Sequence, residues 1–319
     1  GMSLPLQGQP WLSVVMPIHG GATYLGATLA SVAAEAPQGV EFLCYDSGAD
    51  GGQARAIAEA HADQLAIRWA DVPDIRPWTA KVNLGVGHAS APHIAILHQD
   101  DLWLPGHLAA LRASLALAGD AVLSVGPSRL VGPAGQDVGL WRLPLRQGRQ
   151  QGGDVATRLL TQNTIAVPAP LFRRDAFLAA GGMDDALWYT ADWDLWLKLA
   201  RRGDVFVRAG ATTAFRLHGG SLTMTGSRDL ADFRQQMERV LDAHAPQLAP
   251  PAAALARARA SVALNVALAG VSAGDRSALM GALGQVARLG PLGAWRFCQE
   301  TQIIGRLWPR VKLMLAGKL

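Results

Sequence analysis

An α/β fold, a mainly parallel sheet flanked by helices and followed by a helical C-terminal region, is predicted by three observations. Short apolar or β-branched runs alternate with helix-length segments up to Leu123, the pattern of crossovers that join parallel strands. From Asp229 onward the composition is Ala-rich and helical, interrupted at Pro250-Pro251 and at Pro291. Half of the 319 residues are hydrophobic and only 17% are charged, enough apolar material for a sizeable core.

The elements follow in order. Leu12-Ser-Val-Val-Met-Pro17 is a β-branched run ended by proline and predicts the first strand. Tyr24 to Ala34 repeats Leu25, Leu29 and Val32 at helical spacing. Val40–Tyr45 predicts a second strand, stopped by Asp46-Ser-Gly-Ala-Asp-Gly-Gly52, and Gln53–Leu65 a second helix. Ala66–Trp69 predicts a short third strand, Thr79–Ala91 a helix, and Ile94 to Asp100 a buried strand. A helix-like Gly106–Arg112 then turns the chain away. Beyond Leu123 prolines and glycines punctuate an irregular or hairpin-like stretch, with a mobile loop expected at Gln147–Gly153. A short helix near Asp154–Leu160, a strand-like Thr164–Val167 and a helix over Arg174–Ala180 come next. Ala191–Arg202 predicts a strong helix with Leu195, Trp196 and Leu199 on one face and Gly203 as its stop. Val205–Gly210 and Ala214–His218 predict two further strands.

The net charge of +4 is unevenly spread. From Gln285 to Leu319 six basic residues (Arg288, Arg296, Arg306, Arg310, Lys312 and Lys318) face a single acid, Glu300, so the rest of the chain is nearly neutral. Those cations alternate with Trp295, Phe297, Ile303, Ile304, Leu307, Trp308 and Leu313. Two readings stand: an amphipathic segment at a membrane surface, or a helix packed on the main domain with its basic side in water. No nucleic-acid module accompanies the charge. Cys44 and Cys298 lie far apart without metal-ligand spacing, which favours a reducing compartment over a disulfide framework. No run approaches the ~18 uninterrupted apolar residues of a membrane span, and no signal peptide is visible.

The residue pair with most chemical content is Asp100-Asp101, two carboxylates at the end of an apolar strand. Ligands of open α/β sheets bind beyond the carboxyl ends of the strands, where paired acids suit a hard divalent cation. The same pair also suits a turn that caps the following helix. Residues alone leave both readings open. Asp46 divides likewise between a ligand-binding acid and a turn-former, Lys81 between a phosphate contact and a solvated helix lysine, His218 between a metal ligand and a loop residue.

Seven blocks in order resemble family 2 glycosyltransferases, GT-A fold enzymes that move a sugar from a nucleotide-sugar donor. They are Leu12–Ala22, Phe42–Gly52, Asn83-Leu-Gly85 with Ala89, Leu97–Leu108, Gly181–Asp185, Ala191–Gly203 and Phe215–His218. The resemblance implies a nucleotide-sugar-binding half over 10–125, an acceptor-binding half over 126–225 and a helical basic region over 226–319. It implies that Pro17, Ile18, His19 and Asp46 hold the donor's base, that Lys81 and Asn83 face the donor, and that Gln99 and Asp101 face its sugar or ribose. Asp100 is implied as ligand to Mn²⁺ or Mg²⁺, with His218 joining it. Asp192, at a helix start where the bare sequence reads as a cap, is implied as the general base of an inverting transfer, with Trp188 and Trp193 against the acceptor. The implied partners are a nucleoside-diphosphate-sugar, UDP-linked first, and a saccharide or lipid-linked acceptor. The implied setting is cell-surface polysaccharide or glycolipid synthesis, in the cytoplasm or peripherally at the inner face of the membrane.

Several positions depart from the family pattern. Tyr45 replaces the first acid after the second strand, Ser47-Gly48 reverses the usual order, and Gly20 stands where Asn is common. His98 replaces the first acid of the metal motif, and Ala191 the Glu before the base. These leave a nucleotide-sugar-binding scaffold without catalysis as a rival reading. A nucleotidyltransferase is a weaker one, because Ile18–Thr23 has no Lys or Arg.

Overall fold

The computed structural model describes residues 6–218 and 229–318. Eight strands form the larger sheet: β1 (Leu12–Ile18), β2 (Val40–Asp46), β3 (Ala66–Asp71), β4 (His93–Ile96), β6 (Leu123–Val125), β9 (Gly148–Gln150), β10 (Leu171–Arg173) and β11 (Val205–Val207). Their spatial order is β3-β2-β1-β4-β10-β6-β11-β9. The β3-β2-β1-β4 half is parallel throughout, whereas β10 and β9 run antiparallel to their neighbours, so the sheet is mixed. A smaller sheet, β5-β12-β7-β8, joins β5 (Leu102–Trp103), β7 (Ser128–Val131), β8 (Asp137–Trp141) and β12 (Thr213–Arg216).

All seven residues of β1 are buried, which explains its unbroken apolar sequence: a central parallel strand is covered on both faces. The strand pleat sends alternate residues into two cores. Val15, Leu43 and Tyr45 join Val82, Val86 and Trp196 in one core, while Val14, Met16, Phe42 and Cys44 join Leu25, Leu29 and Leu111 in the other. Helices α1 (Leu25–Ala33), α2 (Gln53–Glu59), α3 (Trp78–His88) and α4 (His107–Ala118) make the early crossovers. α3 lies especially close to the sheet because Gly85 has no side chain. A Cβ there would sit 2.5 Å from a Val15 methyl carbon and 2.9 Å from the Tyr45 ring. Helices α5 (Gly152–Leu159), α6 (Arg174–Ala179) and α7 (Ala191–Ala200) follow in the second half of the domain.

The C-terminal region is helical: α8 (Leu230–Leu248), α9 (Ala252–Ser272), α10 (Leu279–Ala287), α11 (Gly290–Thr301) and α12 (Ile303–Leu315). Phe297 and Ala282 pack with Ala260, Leu264 and Ala267 in a core of their own, and Leu313 packs with Leu130 and Leu217 of the small-sheet region. By length and composition α9 is apolar enough to cross a membrane, which no uninterrupted apolar run revealed, since Arg257 and Arg259 divide it. More than half of its apolar window is buried inside the molecule.

Several segment boundaries differ from expectation. The Gln147–Gly153 segment is an edge strand, β9, running into α5, because Gly148 to Gln150 pair with β11. Thr164–Val167 is buried but belongs to no strand, and the strand that follows it is β10. α2 ends at Glu59, with turns carrying the chain to Leu65. β4 ends at Ile96, so the acids stand on a turn beyond the strand. Pro291 sits in the first turn of α11, where the missing N–H is harmless.

Candidate active site

From β1 the chain builds β2 and β3 on one side, then returns to place β4 on the other. The reversal opens a crevice at the carboxyl ends of β1 and β4, the usual ligand position in such sheets. Gln99 spans it: its Oε1 accepts from the His19 N–H at 2.8 Å, and its Nε2 donates to the His19 carbonyl at 2.9 Å. Lys81, one turn before Gly85 on α3, reaches the same place. Its Nζ donates to the Ile18 carbonyl and to Ser47 Oγ, each at 2.7 Å, and Ser47 also contacts His19 Nδ1 at 2.7 Å. Lys81 is only 1% exposed, which removes the reading of it as a solvated helix lysine. Burial lowers its pKa to about 8, Asp46 opposing that fall.

Asp46 ends β2, directly beside Ile18 in the strand register, and is 4% exposed. Its Oδ1 accepts from the Gly48 N–H at 2.9 Å, and its Oδ2 has no protein donor among the described residues. Burial raises its pKa, the Gly48 bond pulling the other way. Pro17 is buried in β1, one residue before Ile18 and opposite Tyr45. Gly20 adopts φ +56°, the left-handed region that glycine and asparagine tolerate, so the Asn-to-Gly departure preserves the backbone.

The two acids after β4 point in different directions. Asp100 Oδ2 lies 2.7 Å from His218 Nε2, and the two side chains are 21% and 13% exposed. Burial would raise the Asp100 carboxyl, but the His218 bond and the field of His98 outweigh it and hold it below the usual range. Asp101 is turned inward at 1% exposure. Its Oδ1 accepts from the Arg216 N–H at 3.2 Å, and burial together with Asp100 drives its carboxyl well up. Arg216 binds the Asp100 carbonyl at 3.0 Å and lies over the Tyr24 ring, which in turn packs against His218 at 5.0 Å between centroids. His98, which stands where the family has an acid, has its pKa lowered by burial, Asp100 opposing, and packs edge-on to Trp78. Among the described residues no group of three His, Cys, Asp or Glu is set to hold a metal ion. A hard divalent cation that keeps water and takes phosphate oxygens needs only one or two protein ligands. The Asp100–His218 pair therefore fits a cation shared with a diphosphate, not one held by protein alone.

A second cleft lies at the start of α7. Asp192 lines it with Asn163, Tyr189, Trp193, Arg306 and Arg310, around a volume of about 110 Å³. Asn163 Nδ2 donates to Asp192 Oδ2 at 3.1 Å. A carboxylate in a helix's first turn is ordinarily favoured, yet burial wins here and raises Asp192 to about 6, against bonds from the Trp193 N–H and Asn163. Two residues on, Asp194 is buried too but sits 2.7 Å from His244 and 2.8 Å from Lys198, which together outweigh its burial and hold it low. Neighbouring acids pushed apart in this way mark different roles: Asp194 ties α7 to α8, and Asp192 faces the cleft.

Three expected residues have protein partners that define them. Asn83 binds the Met183 backbone at 2.9 and 2.8 Å and Asp185 at 3.2 Å, fastening α3 to the Gly181–Asp185 turn. Trp193 is buried with its Nε1 donating to the Leu159 carbonyl at 2.7 Å. Trp188 is half-buried and donates to Asp232. The structure thus joins Ile18, His19, Lys81 and Gln99 in one cluster and Asp100 with His218 in a pair, and it sets Asp192 in the other cleft. Ser47, Asn163, Tyr24 and Arg216 complete these groups and were not singled out from sequence. Ser47 and Arg216 did lie inside recognised blocks, whereas Asn163 carried no signal.

Residues 13–164 match the family model described as Glycosyl transferase family 2. An uncharacterised glycosyltransferase of Rickettsia typhi is 20% identical over 230 residues, covering 70% of this chain and 69% of its own length. Among solved structures, residues 1–349 of S. aureus TarS in complex with UDP-GlcNAc match with a TM-score of 0.60 at 15% identity, covering 96% of this chain and 92% of that one. Of the longer TarS chain the protein spans 54%. The mannosyltransferase PcManGT from Pyrobaculum calidifontis, in complex with GDP-Man and Mn²⁺, matches with a TM-score of 0.52 at 18% identity, covering 98% of this chain and 89% of its own. At such identities the likeness is one of fold.

Proposed function

We propose that this chain, whose residues 13–164 match the Glycosyl transferase family 2 model, acts on a nucleotide-sugar and performs an inverting, in-line transfer with Asp192 as the base. The single observation that carries this is the Asp192 carboxyl, lifted to about 6 inside a cleft, where a general base works best close to neutral pH. Asp192 takes the proton of an acceptor hydroxyl as its oxygen attacks the anomeric carbon opposite the diphosphate. Asn163 holds one carboxylate oxygen and so aims the other. On the donor side Asp46 Oδ2 accepts an N–H of the base, with Ile18 and His19 beside it. Lys81 presents positive charge toward the phosphates, and Gln99 keeps the β1–β4 crevice at fixed width. Asp100 and His218 would hold Mn²⁺ or Mg²⁺, which when bound neutralises charge on the departing diphosphate.

UDP is the first nucleotide to test, with the GDP and deoxythymidine nucleotides as rivals, and the acceptor is a saccharide or lipid-linked sugar. Peripheral contact with a membrane surface is supported by α12. Ile304 (74% exposed), Trp308, Val311 and Leu315 recur at three- and four-residue spacing on its outer face, beside Lys312 and Lys318.

A thermal-shift screen of UDP, GDP and deoxythymidine diphosphate, each with and without Mn²⁺, tests the donor half. At a hundred times its dissociation constant the correct nucleotide stabilises the protein by about 2.7 kcal/mol. The Mn²⁺-dependent part of the shift is expected to vanish in Asp100→Asn. A flat response to all three with Mn²⁺ present contradicts the reading. Binding without turnover would instead mark a scaffold.

A further inference from the structure

The inner face of α12 brings two arginines to the Asp192 cleft, and neither has a counter-charge among the described residues. Arg306 and Arg310 both line the cavity. Arg306 Nε donates to the Thr301 carbonyl at 2.9 Å and Arg310 Nη1 to the Arg306 carbonyl at 2.7 Å. Arg306 Nη2 is buried and has no hydrogen-bond partner among the described residues. No carboxylate of the described residues lies within salt-bridge distance of either guanidinium, and the segments outside the description contain no Asp or Glu. Burial lowers both, Arg306 to about 10, and the group that opposes this is the Tyr189 phenol rather than an acid.

A buried guanidinium with an idle donor is costly unless something pairs with it. No described residue pairs with it, and a negatively charged ligand would. The cavity of about 110 Å³ has room for roughly three or four waters, the scale of one phosphate or carboxylate group. The same sign of charge continues outward. Thr161, in the wall of this cleft, donates to Glu300 at 2.6 Å, and Glu300 lines a groove of about 600 Å³ with Trp295, Arg158, Arg257 and Arg296. Arg257 neutralises Glu300 at 3.1 Å, while Arg158 and Arg296 have no acid partner among the described residues. Exposed tryptophan beside free arginines suits sugar rings that carry negative charge.

We propose that Arg306 and Arg310 form an anion subsite on the acceptor side of the Asp192 cleft, so that the acceptor is a saccharide carrying a phosphate or carboxylate near its reacting hydroxyl. This rests on the reading of Asp192 as the acceptor-side base, but its test needs no turnover. Tryptophan fluorescence is titrated with inorganic phosphate, with glucuronate and with glucose, using the full chain, Arg306→Met and Arg310→Met. One of the two anions is expected to bind and glucose not, and which anion responds tells phosphate from carboxylate. Each substitution is expected to weaken that anion at least about tenfold, to leave the UDP thermal shift unchanged and not to lower the melting midpoint. A midpoint that holds or rises is the sign of a ligand site, because a group serving only the fold would lower it on removal. Equal response to glucose, no response to either anion, or unchanged anion binding in both variants overturns the proposal. Loss of the UDP shift would assign the arginines to the donor and overturn it as well. Loss of transfer in Asp192→Asn with anion binding intact is expected. Full transfer in that variant would remove the base assignment without touching the anion result.

Discussion

Asp192→Asn is expected to slow sugar transfer by about 10²–10⁴-fold while leaving the nucleotide thermal shift intact. The amide keeps the shape and can still accept from Asn163, but it cannot take a proton. The wild-type rate should rise with pH through about 6 and then level, as the carboxyl ionises. Stability moves the opposite way. The Asp192 carboxyl is raised from 3.8 to about 6 by burial, so between those values the folded protein holds a proton that the unfolded chain has released. Its contribution to stability is present below pH 4 and lost as pH climbs through 6, a cost of up to about 3 kcal/mol above that. Asparagine carries no such cost. At pH 7.5 the variant should therefore melt higher than the wild type, and the gap should close on acidification. Urea unfolding at both pH values measures this, and an equal gap at both would mean that burial does not act on this carboxyl.

The second large effect is expected at Lys81. Lys81→Met keeps the buried stem and removes a cation that holds the Ile18 carbonyl and Ser47. A charged contact from Lys81 to a donor phosphate would contribute about 1.5–3 kcal/mol, so donor affinity should fall about 10–150-fold, with little change in the pH dependence set by Asp192. The Lys81 pKa is lowered from 10.5 to about 8, so the unfolded chain binds the extra proton between those values. Wild-type stability should rise as pH passes from 8 toward 10.5, and Lys81→Met should remove that rise. A calorimetric nucleotide titration and melting curves across pH 7.5–10.5 read the two effects separately. Unaltered affinity would place the diphosphate away from this lysine.

The parallel half of the sheet was legible because each strand is buried on both faces and each connection carries a helical period. Segments whose pairing is decided at long range were not. β9 is made of Gly148, Arg149 and Gln150, residues without strand propensity, and it exists because β11 offers an edge. Thr164–Val167 has strand propensity but no strand partner. At the candidate site, sequence singled out Asp46, Lys81, Gln99, Asp100, Asp192 and His218 but not their contacts. Asn83 meets Met183 and Asp185 about a hundred residues away, and Asp100 meets His218 across a similar distance. The C-terminal helix shows the limit most clearly. Its periodicity reveals two faces, yet nothing local says that Arg306 and Arg310 turn into the Asp192 cleft while Ile304 and Trp308 face outward.

Tyr45 and Ala191 find a similar explanation in packing. Tyr45 sends its hydroxyl to His88 at 2.9 Å on the core side of β2 and lies against Gly85, a place for a ring rather than a second carboxylate. Ala191 is fully buried beneath the first turn of α7, where a glutamate would need a partner. Both changes lie beside the proposed chemistry without removing Asp46 or Asp192.

The most direct test of inverting transfer is time-resolved proton NMR of an α-linked nucleotide-sugar, with water or an added saccharide as acceptor. A single displacement driven from the Asp192 side forms the β-anomer first, before mutarotation blurs the signal, and Asp192→Asn slows its appearance by about 10²–10⁴-fold. First formation of the α-anomer, or full turnover in the variant, would contradict the account.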